Sequence, residues 1–292
     1  MIYETAQDYA QAPHKQVLLF GMSGLGKTYL SNLMRGAGWF HYSVDYRIGT
    51  RYMNEFIADN FKREAMKVPL LRELLMTDSV YIASNITFEN LAPLSTYLGK
   101  PGDPAKGGLA LGEYQRRQAQ HAKAEVAAML DTTRFIARAQ DIYGYANFIC
   151  DTSGSICEVV DGADPSDAVM REISANLLLV WIKGSDAHRD ELCRRFDRAP
   201  KPMYYRPEFL MQVWGEYLAQ EGKGPDQVDP DAFLRFGYAR LLESRQPRYA
   251  AMARWGVTVT AEEVAAIASP ADFDALIARA LDRRAADPTF AA

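Results

Sequence analysis

QVLLFGMSGLGKTYLSNLM, residues 16–34, decides the fold expected of this chain. Gln16 to Phe20 is a short unbroken apolar run, the pattern of a strand buried on both faces, and it stops at Gly21. From Lys27 the apolar residues change to helical spacing, with Leu30, Leu33 and Met34 on one face, and Gly36 and Gly38 supply stop signals. The eight residues between strand and helix, Gly21-Met-Ser-Gly-Leu-Gly-Lys-Thr28, satisfy GxxxxGK[ST], the pattern of a phosphate-binding loop. In such a loop successive backbone N–H groups converge on the phosphates, and the glycines permit the turn. The lysine reaches the β and γ oxygens, the hydroxyl is a magnesium ligand, and the helix aims its positive end at the anion. Gly21, Ser23, Gly24, Leu25, Gly26, Lys27, Thr28 and Tyr29 are therefore the expected nucleotide-binding residues, with ATP and Mg2+ as cofactors.

Outward from this stretch, four further segments have strand character. Trp39 to Asp45 (WFHYSVD) is aromatic-rich and ends on a carboxylate. Ala146 to Cys150 leads into Asp151-Thr-Ser-Gly-Ser, Leu177 to Lys183 precedes a polar turn, and Trp255 to Thr260 comes before a closing helix near Ala271 to Arg284, entered through Ser269 and Pro270. Strands alternating with helices predict an α/β fold: a three-layer P-loop domain spanning 1–292 with a five-stranded parallel sheet. About a hundred mostly helical residues separate the second strand from Ala146, and we read 50–144 as a mainly helical insertion and a candidate substrate subdomain. Within it, Gly99 to Gly108 (GKPGDPAKGG) reads as a flexible loop. Glu113 to Leu130 reads as a helix with an apolar stripe of Ala119, Ala122, Val126 and Met129 opposite a solvated Arg116, Arg117 and Lys123.

The bulk numbers select small-molecule chemistry over nucleic-acid binding. Apolar residues make up 48% and charged residues 24%, with a formal net charge of -4 and no dense Lys/Arg block. Cys150, Cys157 and Cys193 form neither a secreted disulfide framework nor a CxxC pair, and read as buried thiols of a reducing compartment. The first residues lack a signal-peptide pattern and no apolar run reaches membrane-spanning length, so the expectation is a cytoplasmic protein with no membrane and no nucleic-acid partner. His14, His41, His121 and His188 have no zinc-site spacing and read as structural, and no GxSxG elbow marks a serine hydrolase.

Two carboxylates complete the chemistry. Asp151 follows an apolar strand where a magnesium-holding carboxylate is needed, the competing role being to cap the next turn. Asp45, at the end of the strand after the phosphate-loop helix, is placed to accept a hydroxyl proton and orient an attacking oxygen; the competing role is a solvated strand end.

The run GMSGLGKTYLSNLMRGAGWFHYSVDYRIG (21–49) resembles the opening of the shikimate kinase and nucleoside-monophosphate-kinase group. Leu241 to Tyr249 (LLESRQPRY) is similar to that group's R-x-P-x-Y element, and the resemblance implies that Arg245 faces substrate or phosphate. Trp181 to Arg198 resembles its fourth strand, helix and the start of a mobile lid, here about 186–210, which makes Arg194, Arg195 and Arg198 candidates for clamping the transferring phosphoryl group. The competing reading of these arginines is a surface helix with i,i+4 ion pairs, and of Arg245 a solvated helix end. DTSGS stands where a shikimate kinase has a glycine triplet, so Asp151 resembles the Asp of the adenylate-kinase branch and substrate identity does not transfer. Ile182-Lys-Gly-Ser-Asp186 lacks the NKxD element of guanine recognition, which favours ATP. The sequence thus predicts an ATP- and magnesium-dependent phosphotransferase acting on a small-molecule acceptor. The alternative is a nucleotide-dependent regulatory ATPase that switches its helical insertion and binds a protein partner.

Overall fold

The computed structural model describes residues 1–287 and 289. They divide into two compact units: Met1–Val44, Met129–Ala199 and the described part of 237–292 form the first, and Asp45–Ala128 with Pro200–Phe236 the second. The 50–144 segment contributes 50–128 to the second unit and 129–144 to the first.

The first unit is α/β, built on one five-stranded parallel sheet: β1 (Gln16–Phe20), β2 (Trp39–Ser43), β3 (Asn147–Asp151), β4 (Leu178–Lys183) and β5 (Val257–Thr260), in the order β2-β3-β1-β4-β5. Val17, Leu18, Leu19 and Phe20 of β1 are all fully buried, as a central strand covered on both faces requires. Helix Lys27–Gly36 packs Leu30 and Met34 beneath β2 and β3, helix Ala168–Asn176 lies on β4, and helix Pro270–Ala286 on β5. The chain leaves β1 toward β2 and leaves β3 toward β4, on the opposite side of β1. β1 and β3 are neighbours with diverging connections, so the carboxyl ends of these two strands flank the crevice where open α/β sheets bind ligands.

Two strand ends differ from expectation. β2 stops at Ser43, and Asp45 sits in the first turn of the short helix Val44–Arg47. The ladder explains the stop: Ser43 pairs in register with Asp151, the last residue of β3, so no partner strand remains for Val44 and Asp45. Trp255 precedes β5 in a turn, where its indole N–H donates to the Gly162 carbonyl at 2.8 Å.

The second unit is helical among its described residues. Trp214 and Tyr217 of helix Pro207–Glu221 pack edge-to-face on Phe233, at ring separations of 4.8 and 5.6 Å. The GKPGDPAKGG segment is held by bonds of its own: Gly102 N–H donates to Leu109 O at 2.8 Å, Leu109 N–H to Lys100 O at 2.7 Å, and Asp103 N–H to Val228 O at 2.8 Å. Its glycines are needed for this closeness, because a Cβ on Gly102 would lie 2.6 Å from the Val228 carbonyl oxygen.

Helix Leu111–Asp141 is longer than predicted, and the predicted stripe holds only in part: Met129 is fully buried, Ala122 and Val126 are half-buried, and Arg116 and Lys123 are exposed as expected, but Arg117, expected in solvent, is buried. Tyr114, Arg117, Gln118 and His121 are buried, whereas Ala119 is exposed. The buried face carries Tyr114, Ala124, Ala128 and Met129 together with polar residues that find partners. Arg117 bonds Glu113 at 2.7 Å and Asn60 at 3.0 Å and lies over the Tyr97 ring; Gln118 accepts from the Tyr205 N–H at 2.9 Å.

Candidate functional site

The crevice at the carboxyl ends of β1 and β3 is lined by the glycine loop on one side and by Asp151 to Ser155 on the other. Gly21, Gly24 and Gly26 have φ of +136°, +79° and +94°, conformations that side-chain-bearing residues rarely adopt. Gly21 is also wedged against β4, where a Cβ would lie 2.5 Å from the Ile182 carbonyl oxygen. Gly26 caps helix Lys27–Gly36 without any side-chain bond to its first turn, and the first bond within the helix runs from Leu30 N–H to Gly26 O at 2.9 Å. The amides of Lys27, Thr28 and Tyr29 therefore project along the helix axis, where an anion is stabilised. Lys27 is buried, and its ammonium donates to the carbonyls of Gly21 at 2.7 Å and Met22 at 2.8 Å.

Thr28 and Asp151 meet. The Thr28 hydroxyl donates to Asp151 Oδ2 at 3.2 Å, although 123 residues separate them in sequence. The other carboxylate oxygen, Oδ1, lies 3.1 Å from His41 Nε2, with both side chains buried. Thr152 is fixed to β1 by its N–H and its hydroxyl, each 3.1 Å from the Leu19 carbonyl. Scanned against protein-family models and searched against curated proteins, the chain matches none.

Behind the crevice a buried ionic network fixes the turn after Asp151. Glu158, whose side chain has no exposed surface, pairs with Arg245 Nε at 2.9 Å and with Arg248. Arg245 also donates to the Gly154 carbonyl at 3.0 Å, and the Tyr249 hydroxyl donates to the same oxygen. Gly154 in turn abuts the glycine loop, since a Cβ there would lie 2.8 Å from Ser23 Oγ. Burial works against the charge of Arg245, but Tyr249, Cys157 and Glu158 outweigh it and raise its pKa. Burial pushes the Cys157 thiol up to about 12 and raises the Tyr249 hydroxyl well above its ordinary range.

The remaining sequence candidates lie as follows. Ser23 is exposed at the rim of the loop; Leu25 is buried beside Gly184. Tyr29 turns its hydroxyl to the Ile267 carbonyl at 3.0 Å. Arg194 and Arg195, exposed on helix Asp186–Arg198, both pair with Glu191, at 2.8 and 2.7 Å, and Arg198 is exposed at the end of that helix. Arg245 is buried in the network just described, and Asp45 is half-buried in the second unit. The loop, Thr28 and Asp151 are thus brought together, whereas Arg194 and Arg195 make the surface pairs that the competing reading expects.

Sequence reasoning reads His41 as structural, gives Tyr249 no role beyond its place in the R-x-P-x-Y resemblance, and does not single out Glu158. For His41 the signal exists but needs the register: in β2 it lies two residues before Ser43, on the face that Ser43 shares with Asp151. Nothing local marks Glu158, because a buried carboxylate and an exposed one read alike.

Proposed function

We propose that the first unit is a P-loop nucleotide-binding domain of the three-layer kind, that it binds ATP with Mg2+, and that the chain transfers the γ-phosphoryl group to a small-molecule acceptor. The observation that carries this reading is the pairing of Thr28 with Asp151 at the mouth of a loop whose three glycines have left-handed φ.

The donor set fits magnesium. Two cis oxygens of an octahedral Mg2+ site, each about 2.1 Å from the metal, are about 3 Å apart. Thr28 Oγ1 and Asp151 Oδ2 are 3.2 Å apart. Among the described residues no cluster of three or more His, Cys, Asp or Glu could hold a metal, and a magnesium ion that takes phosphate and water oxygens needs only one or two protein ligands. When bound, the ion would neutralise charge on the β and γ oxygens.

The protein's own part is positioning and charge. The loop amides and the end of helix Lys27–Gly36 receive the β and γ phosphates. Lys27 exchanges its two carbonyl partners for phosphate oxygens, so its ammonium remains bonded in both states. His41 holds Asp151 in orientation through Oδ1. Asp45 is assigned the acceptor's proton, and Arg198 a role in holding phosphate, on the sequence reading; the buried pairing of Arg245 favours a positioning role for it.

Incubating the chain with ATP, magnesium and pooled metabolites, and following ADP release with mass analysis of the products, tests the reading. ADP release tied to a phosphorylated product is expected from the unaltered chain, and no turnover from Lys27→Ala with an unchanged circular dichroism spectrum. Turnover retained by Lys27→Ala overturns the assignment of the loop. A steady ATPase that no metabolite accelerates, together with nucleotide-dependent capture of a protein partner, replaces the kinase reading with the regulatory one.

A further inference from the structure

The segment Gly99 to Gly108 (GKPGDPAKGG) has no part in the nucleotide reading, yet its backbone is closely packed. Besides the bonds of Gly102, Asp103 and Leu109, a Cβ on Gly108 would lie 2.6 Å from the Gly102 carbonyl carbon and 2.8 Å from the Pro230 ring. The segment thereby brings Lys100 and Lys106 to the same cleft as residues 229–231. Side chains between 89 and 96, with Lys201 and Pro202, complete this cleft, whose volume is about 820 Å3. Every residue that lines it belongs to the second unit.

The charges around the cleft do not all cancel. Lys100 is taken by Asp231, Nζ to Oδ1 at 2.5 Å, and Asp229 accepts the Ala232 N–H at 2.9 Å. Lys106, Lys201 and Glu89 are exposed, and their side chains make no hydrogen bond or ion pair among the described residues. We infer that the cleft binds a small sugar-like molecule bearing one phosphate or carboxylate group, with Lys106 and Lys201 on the anionic group and Glu89 on a hydroxyl. An ammonium is a compact point charge that suits either oxyanion, and two of them match the charge of a phosphate monoester. The hydroxyls of Ser95 and Thr96 both donate and accept, as sugar hydroxyls do, while Leu91, Pro202 and Pro230 offer apolar surface to ring C–H groups. The volume falls within the ~300–1,000 Å3 of small-molecule sites. A nucleic-acid strand is the poorer occupant, because Glu89, Asp229 and Asp231 in the same cleft repel its closely spaced phosphates. Binding in this cleft does not depend on whether the phosphate loop holds ATP.

Titration calorimetry on the full chain without nucleotide tests this. The probes are glucose 6-phosphate, ribose 5-phosphate and glucuronate, with glucose and inorganic phosphate as their separate halves. At least one of the three anionic sugars is expected to bind with a Kd below about 1 mM, and glucose and phosphate about tenfold or more weakly. A sugar phosphate that binds while glucuronate does not identifies the anionic group as phosphate, and the reverse identifies a carboxylate. Lys106→Gln and Lys201→Gln are each expected to weaken that binding about tenfold, as loss of a bond to a charged group does. Both side chains are exposed, so circular dichroism is expected to stay unchanged. Lys123→Gln removes the same charge from an exposed position outside the cleft and is expected to leave the Kd unaltered. No binding of any of the three up to about 10 mM overturns the inference. So does binding that survives Lys106→Gln combined with Lys201→Gln, binding that Lys123→Gln weakens equally, or inorganic phosphate held as tightly as the sugar phosphates.

Discussion

Removing Glu158 has a consequence that can be worked from the geometry. Its carboxylate is fully buried, bonded to Arg245 at 2.9 Å and to Arg248, and Arg245 itself is only 4% exposed at its side chain. Glu158→Leu leaves the Arg245 guanidinium charged in a site closed to water without its carboxylate, while it still donates to the Gly154 carbonyl. Breaking a buried pair in this way costs about 3–5 kcal/mol, a large share of the ~5–15 kcal/mol that holds a typical domain together. Arg248 adds little to the penalty, since its side chain is 28% exposed and can turn to water. Arg245→Met alone leaves Glu158 still paired with Arg248, and is expected to cost somewhat less. The double variant Glu158→Leu with Arg245→Met removes both charges at similar volume, and the Tyr249 hydroxyl still donates to Gly154, so most of the loss is expected to be recovered. Urea unfolding of the four proteins, followed by tryptophan fluorescence, gives the coupling, expected at about 2 kcal/mol or more. A Glu158→Leu loss below about 1 kcal/mol, or losses that simply add in the double variant, would refute the argument that this network holds the turn.

Glu113 gives the chain an acid-sensitive contact. The Arg116 hydrogen bond, aided by Arg117 and opposed by burial, holds its carboxyl down to about 2 from the ordinary 4.5. A depressed folded pKa stabilises above the unfolded value, so the contribution is complete above about pH 4.5 and is lost as pH falls to about 2. Glu113→Gln is accordingly expected to lower the melting temperature at pH 7 by an amount corresponding to about 1 kcal/mol or less and to converge on the unaltered chain near pH 2; a constant difference across that window contradicts the assignment. Cys150 and Cys157 are buried with raised thiol pKa, and Cys193 is half-buried. Iodoacetamide at pH 8 is expected to label Cys193 alone in the folded chain and all three after unfolding, as read by peptide mass; labelling of Cys157 at the rate of Cys193 would contradict its burial.

The sequence alone determined the strand, glycine loop and helix of residues 16–36, because each signal there is local. A continuous apolar run makes β1, and glycines occupy all three loop positions found with left-handed φ. It also placed the five strands of the parallel sheet to within two residues, since buried strands are continuous apolar runs whatever their neighbours. Only the tertiary structure decided where β2 ends, because that depends on β3 running out at Asp151. The sequence reading already sets Thr28 and Asp151 at one site, and the structure places them 3.2 Å apart; only the structure joined Arg245 to Glu158 across 87 residues. The burial of Arg117 and Gln118 on helix Leu111–Asp141 likewise depends on polar partners distant in sequence. An arginine has the same spacing in the sequence whether it will face a phosphate, water or a buried carboxylate. Packing assigned Arg245 to the last of these and left Arg194 and Arg195 at the surface, where each pairs with Glu191.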